Sequence, residues 1–266
     1  MWDTVAGVAP RPSTTPVLIR SRLIEAPHGF PTREGGVSGG PFASLNTSAS
    51  VGDAPASVAQ NLARLTAAFG RDPEQLVTAH QVHGTAVLEA TAAGQGVLGE
   101  GDAVFTGARG LLVGVRTADC LPILIEDRKT GLVAAVHAGW RGVIGEIVLR
   151  ALERLVEHGA DVKELRVAIG PCIQACCFEV DGDLPERFSA AFGSGVVKAQ
   201  PGRARVHLDL AWAVGRSLSR AGVPASHVDA LPHCTHCDDR FFSHRRERGV
   251  TGRQLSLIQC GRDTSL

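Results

Sequence analysis

Residues 133–142, VAAVHAGWRG, place a single histidine, His137, at the end of an apolar run. The run LVAAV at residues 132–136 is typical of a short buried strand, whereas residues 143–159 repeat apolar side chains at helical intervals. This stretch therefore predicts a strand that leads into a helix. His137 falls at the junction, where side chains of α/β proteins often meet ligands.

Strand and helix patterns alternate along the rest of the chain. The other apolar stretches are strand-like at residues 75–90, 102–107, 111–126, 166–170 and 204–210, and helix-like at residues 53–70 and 209–222. In the first helix, Asp53 or Ser57 is expected to cap the start and Gly70 to mark the end. No composition break or internal repeat divides the chain, so we predict a single α/β domain with mixed sheets over residues 17–266. Residues 1–16, rich in proline, serine and threonine, are predicted to form a flexible tail.

Composition and charge favour a small-molecule ligand. The 266 residues are 44% hydrophobic, and 27 lysines and arginines balance 27 aspartates and glutamates. A balanced charge gives no reason to expect a nucleic acid or a membrane surface as the main partner. The sequence has neither a signal-like start nor an unbroken apolar run of about 18 residues, which predicts a cytoplasmic protein.

The seven cysteines, an odd number in a chain too long to need disulfides, are expected to be reduced thiols. Cys234 and Cys237 belong to CTHC, whose spacing suits zinc, but a closed structural site needs two further ligands. Cys172, Cys176 or Cys177 could supply them, although they lie too close together for a standard zinc finger. Buried or hydrogen-bonded thiols are the alternative interpretation.

Two motif matches and one near match point to chemistry that the sequence does not support. Residues 94–99, GQGVLG, lack the following helix that a dinucleotide-binding glycine motif requires. Ser38 in GVSGG is not followed by the helix of a nucleophile elbow. No histidine precedes a glutamate by two residues, and PCIQAC at residues 171–176 is one residue too long for the zinc nucleoside deaminase signature.

Three side chains that end or interrupt predicted strands form the favoured site. His83 follows one strand, Cys120 lies in the polar break TADC between two strands, and His137 ends another. Side chains at strand ends can converge at one end of a sheet although they are far apart in the chain. Two imidazole nitrogens and one thiolate suit zinc and leave a fourth position for water or substrate. Copper could also occupy the site, and the competing interpretation is three satisfied core residues.

Several blocks of the sequence resemble one known family. QVHGTAV, TADCLPILI, AAVHAGWRG, IGPCIQACCFEV and CTHCDDRFFSHRRERGVTGRQLSLI are similar to signature blocks of the YfiH/YlmD family, as is SGGPFASLNTSASVGDAP. The family carries the names multicopper polyphenol oxidase, laccase domain, purine nucleoside phosphorylase and peptidoglycan editing factor. The resemblance extends from Phe42 to Ile258, nearly the whole chain. It implies mixed sheets layered between helices (α/β/β/α), with His83, Cys120 and His137 as metal ligands.

The resemblance implies a zinc-dependent purine nucleoside phosphorylase. Its expected substrates are phosphate and adenosine, inosine or methylthioadenosine, which yield the free base and ribose 1-phosphate. Hydrolytic deamination of adenosine is the expected second activity. Phosphorolysis needs cationic or amide groups that hold phosphate near the ribose. Arg141 and Arg245 are candidates for this role, against a role in surface salt bridges, and Asn46 is a further substrate-binding candidate.

Three other functions compete for the same residues. Cys120 as a nucleophile with His137 as its base would make a metal-free hydrolase or deamidase. The family names also allow a peptidoglycan-precursor editing factor. Copper polyphenol oxidation is disfavoured, because a trinuclear copper cluster takes its ligands largely from H-x-H pairs and the sequence contains none. The oligomeric state is left open by the sequence.

Overall fold

The chain forms two six-stranded sheets with helices on their outer faces. The structure, a computed structural model, describes residues 15–261 except 201 and 203, so residues 1–14 of the predicted tail lie outside the described residues. The strands of the described part are β1 Leu18–Ile19, β2 His28–Pro31, β3 Leu76–His80, β4 Val87–Glu89, β5 Val97–Glu100, β6 Ala103–Thr106, β7 Leu112–Thr117, β8 Leu121–Asp127, β9 Val133–Ala138, β10 Leu165–Ile169, β11 Val197–Lys198, β12 His207–Leu208, β13 Val228–Ala230 and β14 Gln254–Gln259. The helices are α1 Pro55–Ala67, α2 Trp140–Ile144, α3 Ile147–Glu157, α4 Leu184–Phe192 and α5 Leu210–Arg220.

Both large sheets mix parallel and antiparallel strands. The first sheet has the order β1-β2-β14-β7-β3-β5, and β3 runs parallel to both of its neighbours. The second sheet has the order β13-β10-β8-β9-β6-β4, with parallel pairs at its two edges. The strand-like stretch predicted at residues 75–90 therefore divides, because β3 joins the first sheet and β4 joins the second.

An apolar layer lies between the two sheets. Side chains of a strand alternate between its two faces, and Val113 and Val115 of β7 meet Val133 and Ala135 of β9 in this shared layer. All four side chains are fully buried. Burial of a side chain of valine size contributes roughly 1.5 kcal/mol or more to folding, so the layer holds the sheets together as one unit.

Helices cover the outer face of each sheet. Ile147, Ala151 and Leu155 of α3 recur at helical spacing and pack on the second sheet, together with residues of α5. Leu65 of α1 packs on the first sheet against Leu112. The layers are therefore helices, second sheet, first sheet and helix, which is the mixed α/β arrangement expected from the resemblance.

The cap of α1 differs from the sequence-based expectation. Neither Asp53 nor Ser57 caps the helix, because Ala54 stands at the cap position and no side chain closes the first turn. The Asp53 carboxylate instead accepts hydrogen bonds from Ser38 and Asn46. The carboxylate of Asp53 is thus directed to the segment before the helix and away from its first turn.

The helix predicted over residues 143–159 begins earlier and is divided in two. It starts at Trp140, and α2 ends before Gly145. Glu146 has a left-handed backbone with a φ of 58°, which a right-handed helix cannot continue. The second part therefore restarts as α3 at Ile147. The apolar patterns also do not predict α4 or β14.

The predicted site residues lie at one end of the two sheets. The connection from β3 to β4 passes from the first sheet to the second and holds His83. The connection from β7 to β8 makes the same passage and holds Cys120. His137, near the end of β9, pairs with Pro122 at the start of β8. Two connections that cross between the sheets thus bring His83 and Cys120 to the end of β9 that carries His137.

Candidate functional site

The structure brings the three predicted metal ligands together. The Nε2 atom of His83 lies 4.0 Å from Sγ of Cys120, and the ring centres of His83 and His137 are 4.9 Å apart. One donor atom from each residue lies within 4.8 Å of the other two. A tetrahedral zinc ion with ordinary bond lengths holds nitrogen and sulfur ligands about 3.6 Å apart. Small side-chain adjustments would therefore place the three donors around one ion.

Two of the loops that carry candidate metal ligands contain residues with unusual backbone conformations. His83 has a φ of 59°, and Asp119, immediately before Cys120, has a φ of 95°. Residues other than glycine rarely adopt positive φ, and they do so where surrounding contacts hold them, often at functional sites. The Asp119 carboxylate accepts hydrogen bonds from the Thr235 hydroxyl and from the backbone N–H of Arg245. These bonds hold the turn that presents Cys120.

Asp102, which the sequence patterns do not single out, supports two of the ligands. Its buried carboxylate accepts hydrogen bonds from the backbone N–H groups of Val82, His83 and Gly84 and from Nδ1 of His137 at 2.7 Å. Burial opposes its charge, but the bonds from His137 and Gly84 lower the pKa of Asp102. A carboxylate on Nδ1 fixes the imidazole tautomer and leaves Nε2 as the donor for a metal.

The ligands open into a cavity of about 700 Å³. Three arginines, Arg116, Arg245 and Arg253, line the cavity, together with the apolar side chains of Ile173 and Phe178. A volume of several hundred cubic ångströms is typical of small-molecule sites. The cavity therefore joins a candidate metal centre, apolar surface and positive charge.

The guanidinium groups of the three arginines are held by neutral oxygens. Arg116 donates to the carbonyl of Thr47 and Arg245 to that of Glu179, while Arg253 donates to two carbonyls of its own loop. No carboxylate in the described part of the chain forms an ion pair with any of the three. Their charge is therefore available to an anionic ligand in the cavity.

Of the three residues predicted to bind substrate, only Arg245 lies in the cavity wall. Asn46 is fully buried behind the wall, where its side-chain oxygen accepts from the backbone N–H of Arg253. Arg141 is exposed on α2, with its guanidinium 4.2 Å from the centre of the Trp140 ring, and it does not line the cavity. Asn46 is placed to position the backbone of Arg253, and Arg141 lies outside this cavity wall.

The pKa values of Cys120 and His137 favour a charged pair when no metal ion is bound. Burial opposes the thiolate, but hydrogen bonds from His137 and His83 lower the pKa of Cys120 to about 6. Burial also opposes the imidazolium, yet Asp102 and Cys120 raise the pKa of His137 to about 9. Between these two pKa values the sulfur is negative and the ring positive, so a metal ion must displace the proton of His137 on binding.

Metal-free protein is expected to be alkylated at Cys120 at a rate that is constant above about pH 7 and falls about tenfold per pH unit well below pH 6. The thiolate is the reactive form, and the lowered pKa keeps it populated at neutral pH. Iodoacetamide kinetics followed by peptide mass spectrometry measure the rate, with the fully buried Cys260 as the unreactive reference. A rate that keeps rising to pH 9 would contradict the charged pair.

Gly139 leaves room for two ligands. A Cβ atom at this position would lie 2.9 Å from Cδ2 of His83 and 3.2 Å from Sγ of Cys120. We expect Gly139→Ala to weaken metal binding by about tenfold, because both donors must shift. Equilibrium titration with zinc measures the loss. Gly215→Ala in α5 is the control, since a methyl group there meets nothing within 4 Å. Equal affinities in the two variants would show that the ligands tolerate the shift.

Comparison with known proteins places the chain in a family. A family model described as multi-copper polyphenol oxidoreductase laccase matches residues 27–261, which include the three candidate ligands and the cavity wall. The chain belongs to this laccase family. The family description refers to copper and polyphenols, whereas the names of individual relatives refer to nucleosides.

Relatives in this laccase family are similar to the chain over most of its length. It is 40% identical over 242 residues to the purine nucleoside phosphorylase of Deinococcus radiodurans, which covers 91% of this chain and 92% of that protein. It is 34% identical over 254 residues to adenosine deaminase RL5 of an unknown prokaryotic organism, which covers 90% and 95%. The crystal structure of YlmD from Geobacillus stearothermophilus superposes with a TM-score of 0.84 at 34% identity, covering 96% and 98%. The resemblance to the YfiH/YlmD family and its mixed α/β fold are confirmed.

Proposed function

We propose that this member of the laccase family is a zinc-dependent purine nucleoside phosphorylase that also deaminates adenosine. The observation that carries the proposal is one cavity lined by both a His–Cys–His donor set and three guanidinium groups without a carboxylate partner in the described residues. The donor set suits a metal with an open position, and the guanidinium groups suit phosphate. The names of the relatives, purine nucleoside phosphorylase and adenosine deaminase, support the same assignment.

A nucleoside and a phosphate ion suit the size and chemistry of the cavity. Its volume of about 700 Å³ lies within the roughly 300–1,000 Å³ of small-molecule sites. Ile173 and Phe178 offer apolar surface to a purine ring, and Arg116, Arg245 and Arg253 offer donors to phosphate. We propose adenosine, inosine and methylthioadenosine as the nucleosides.

In the proposed phosphorolysis, a phosphate oxygen bonds to C1′ of the ribose while the bond from C1′ to the purine nitrogen breaks. The electron pair leaves with the base, which needs a proton, and the imidazoles of His80 and His244 in the cavity wall are the available donors. The arginines hold the phosphate in position and bear its charge. A zinc ion on His83, Cys120 and His137 would supply a Lewis acid, which would stabilise negative charge on phosphate or the departing base in phosphorolysis and would make water more acidic for attack at C6 and loss of ammonia from adenosine.

Product analysis tests this function. Protein of known metal content is incubated with adenosine or inosine, with and without phosphate, and the products are separated by chromatography. Ribose 1-phosphate that forms only with phosphate supports phosphorolysis, and inosine formed from adenosine without phosphate supports deamination. No consumption of either nucleoside by zinc-loaded protein would reject the assignment.

Arg245→Ala is expected to raise the KM for phosphate by roughly tenfold or more, because a hydrogen bond to a charged group contributes about 1.5–3 kcal/mol. Initial rates at varied phosphate concentration measure the change. Arg141→Ala is the matched control and should leave the KM unchanged, because Arg141 lies outside the cavity wall. If only Arg141→Ala raises the KM, phosphate binds at another place than the one proposed.

A metal-free hydrolase is the second candidate, and one observation favours it. Asp102, His137 and Cys120 are linked in series, with the carboxylate 2.7 Å from Nδ1 of the imidazole and the thiol pKa lowered to about 6. Cysteine hydrolases use such a series to attack a carbonyl, and an amide of a peptidoglycan precursor is a substrate of this kind. Amide hydrolysis that survives zinc removal would support this candidate. Nucleoside phosphorolysis that tracks zinc content would support the first proposal.

We propose zinc as the bound metal and the cytoplasm as the compartment. Imidazole and thiolate also bind copper, so metal analysis of protein from cells supplied with both ions decides between zinc and copper. The odd number of cysteines, seven in a chain too long to need disulfides, supports a reducing compartment such as the cytoplasm. Among the described residues, no helix combines the length and the apolar character needed to cross a bilayer.

A further inference from the structure

Four cysteines outside the cavity wall form a second group of potential metal ligands. Cys176 and Cys177 lie in a turn after β10, and Cys234 and Cys237 lie in a turn after β13. Their four sulfur atoms all lie within 4.8 Å of one another. We term these residues the tetracysteine cluster. It unites the pair CTHC with two further cysteines, which is the number of ligands that the pair alone lacks.

Main-chain hydrogen bonds hold the two turns side by side. The backbone N–H of Cys172 donates to the carbonyl of His233, and that of Thr235 donates to the carbonyl of Cys172. Together they form a short parallel bridge between Cys172 and Cys234. The fold therefore brings the two turns into register without help from a metal ion.

The positions of the sulfur atoms suit a tetrahedral ion. Sγ of Cys237 lies 3.2 Å from Sγ of Cys177 and 3.7 Å from Sγ of Cys176. Sulfur atoms bound to one tetrahedral zinc ion at about 2.3 Å lie about 3.8 Å apart. The two sulfurs of a disulfide lie about 2.05 Å apart, and all four cysteines are free. The separations thus match a shared ion better than a disulfide.

A backbone donor orients one sulfur of the cluster. The backbone N–H of Gln174 donates to Sγ of Cys234 at 3.5 Å. Backbone donors to a ligand atom are the outer contacts that orient ligands in metal sites.

We propose that the tetracysteine cluster binds a structural zinc ion through four thiolates. On binding, four zinc–sulfur bonds form and the thiol protons pass to the solvent. Four protein ligands close the tetrahedral sphere, so this ion has no position for a substrate, in contrast to an ion on His83, Cys120 and His137. Thiolates select zinc over hard cations such as magnesium and calcium.

The proposed ion would hold residues 234–237, a segment that contacts the turn before Cys120. Thr235 lies between two cysteines of the cluster, and its hydroxyl donates to Asp119 at 2.6 Å. Asp119 is the residue with positive φ that precedes Cys120, and its carboxylate also accepts from the backbone N–H of Arg245. A metal ion at the cluster therefore stabilises the turn that presents a cavity ligand.

Zinc analysis of a variant without the cavity site tests the cluster by itself. His83→Ala removes one cavity ligand, so stoichiometric zinc that remains is bound elsewhere, whether or not the protein is a phosphorylase. We expect about one zinc ion per chain in His83→Ala and far less in His83→Ala/Cys237→Ala. His83→Ala/Cys260→Ala should keep its zinc, because Cys260 lies outside the cluster and donates to the carbonyl of Gly131.

Cobalt substitution gives a second measurement that does not require the Cys237 variant to fold. Co²⁺ bound to His83→Ala protein is expected to show the intense ligand-field and sulfur charge-transfer absorption of a tetrahedral four-sulfur site. A spectrum without this signature, or no zinc in His83→Ala protein reloaded under reducing conditions, would overturn the proposal. A disulfide between Cys177 and Cys237 in protein purified without oxygen would also overturn it. Neither measurement depends on turnover, so failure of the proposed function remains distinguishable.

Discussion

His83→Ala is expected to lower nucleoside phosphorolysis by about a thousandfold or more and to remove zinc from the cavity. Two protein ligands are too few to hold an ion that keeps an open position, so the variant loses its Lewis acid. A Lewis acid stabilises the transition state by several kcal/mol, and a loss of about 4 kcal/mol lowers the rate about a thousandfold. The measurements are kcat/KM for inosine at saturating phosphate and the zinc content of the purified variant.

The same variant separates the two proposed functions. His83 is neither the nucleophile nor the base in the series Asp102, His137 and Cys120, so a metal-free hydrolase would keep the His137–Cys120 pair and most of its activity. His227→Ala is the control and should retain full phosphorolysis, because this histidine contacts Arg166 away from the cavity wall. Phosphorolysis that persists in zinc-free His83→Ala protein would contradict the metal-dependent mechanism.

Local apolar patterns correctly predicted the elements whose secondary structure depends mainly on their own sequence. The apolar runs of β7, β8 and β9 and the helical spacing in α5 agree with the predicted strands and helix. The break between α2 and α3 lies at the left-handed backbone of Glu146, which helical spacing of apolar residues does not predict. The parallel pairing of β3 with β7 and the passage of β4 into the other sheet are non-local. Periodicity within a segment carries no information about such partners.

The candidate site also divides into residues that local sequence identifies and residues that only non-local contacts identify. Strand ends identify His83, Cys120 and His137 because polar residues interrupt apolar runs there. Arg253 could not be found in this way, since it reaches the cavity wall because β14, which it immediately precedes, pairs with β7. Asp102 gives even less signal, because it is one acidic residue after a glycine-rich stretch. Its role follows from four hydrogen bonds to residues far away in the chain.

Asp102→Asn is expected to weaken zinc binding by about 10–100-fold and to lower turnover in parallel, as is usual for a carboxylate behind a ligating histidine. Oδ1 accepts from the N–H of His83 and from Nδ1 of His137, and Oδ2 accepts from the N–H groups of Val82 and Gly84. An asparagine must place its NH₂ group against one of these pairs of donors, so two buried donors lose their acceptor. The amide also lacks the charge that favours a correctly oriented His137.

Asp127→Asn is the matched control for this substitution. Asp127 is also fully buried, and it accepts from the N–H of Lys129 and the hydroxyl of Thr130 at the opposite end of β8 from the site. Both variants should lose stability, because an unpaired buried donor costs about 1–3 kcal/mol. Only Asp102→Asn should lose affinity for zinc. Calorimetric titration and thermal unfolding separate the two effects, and equal zinc affinity in both variants would show that Asp102 supports the fold without orienting a metal ligand.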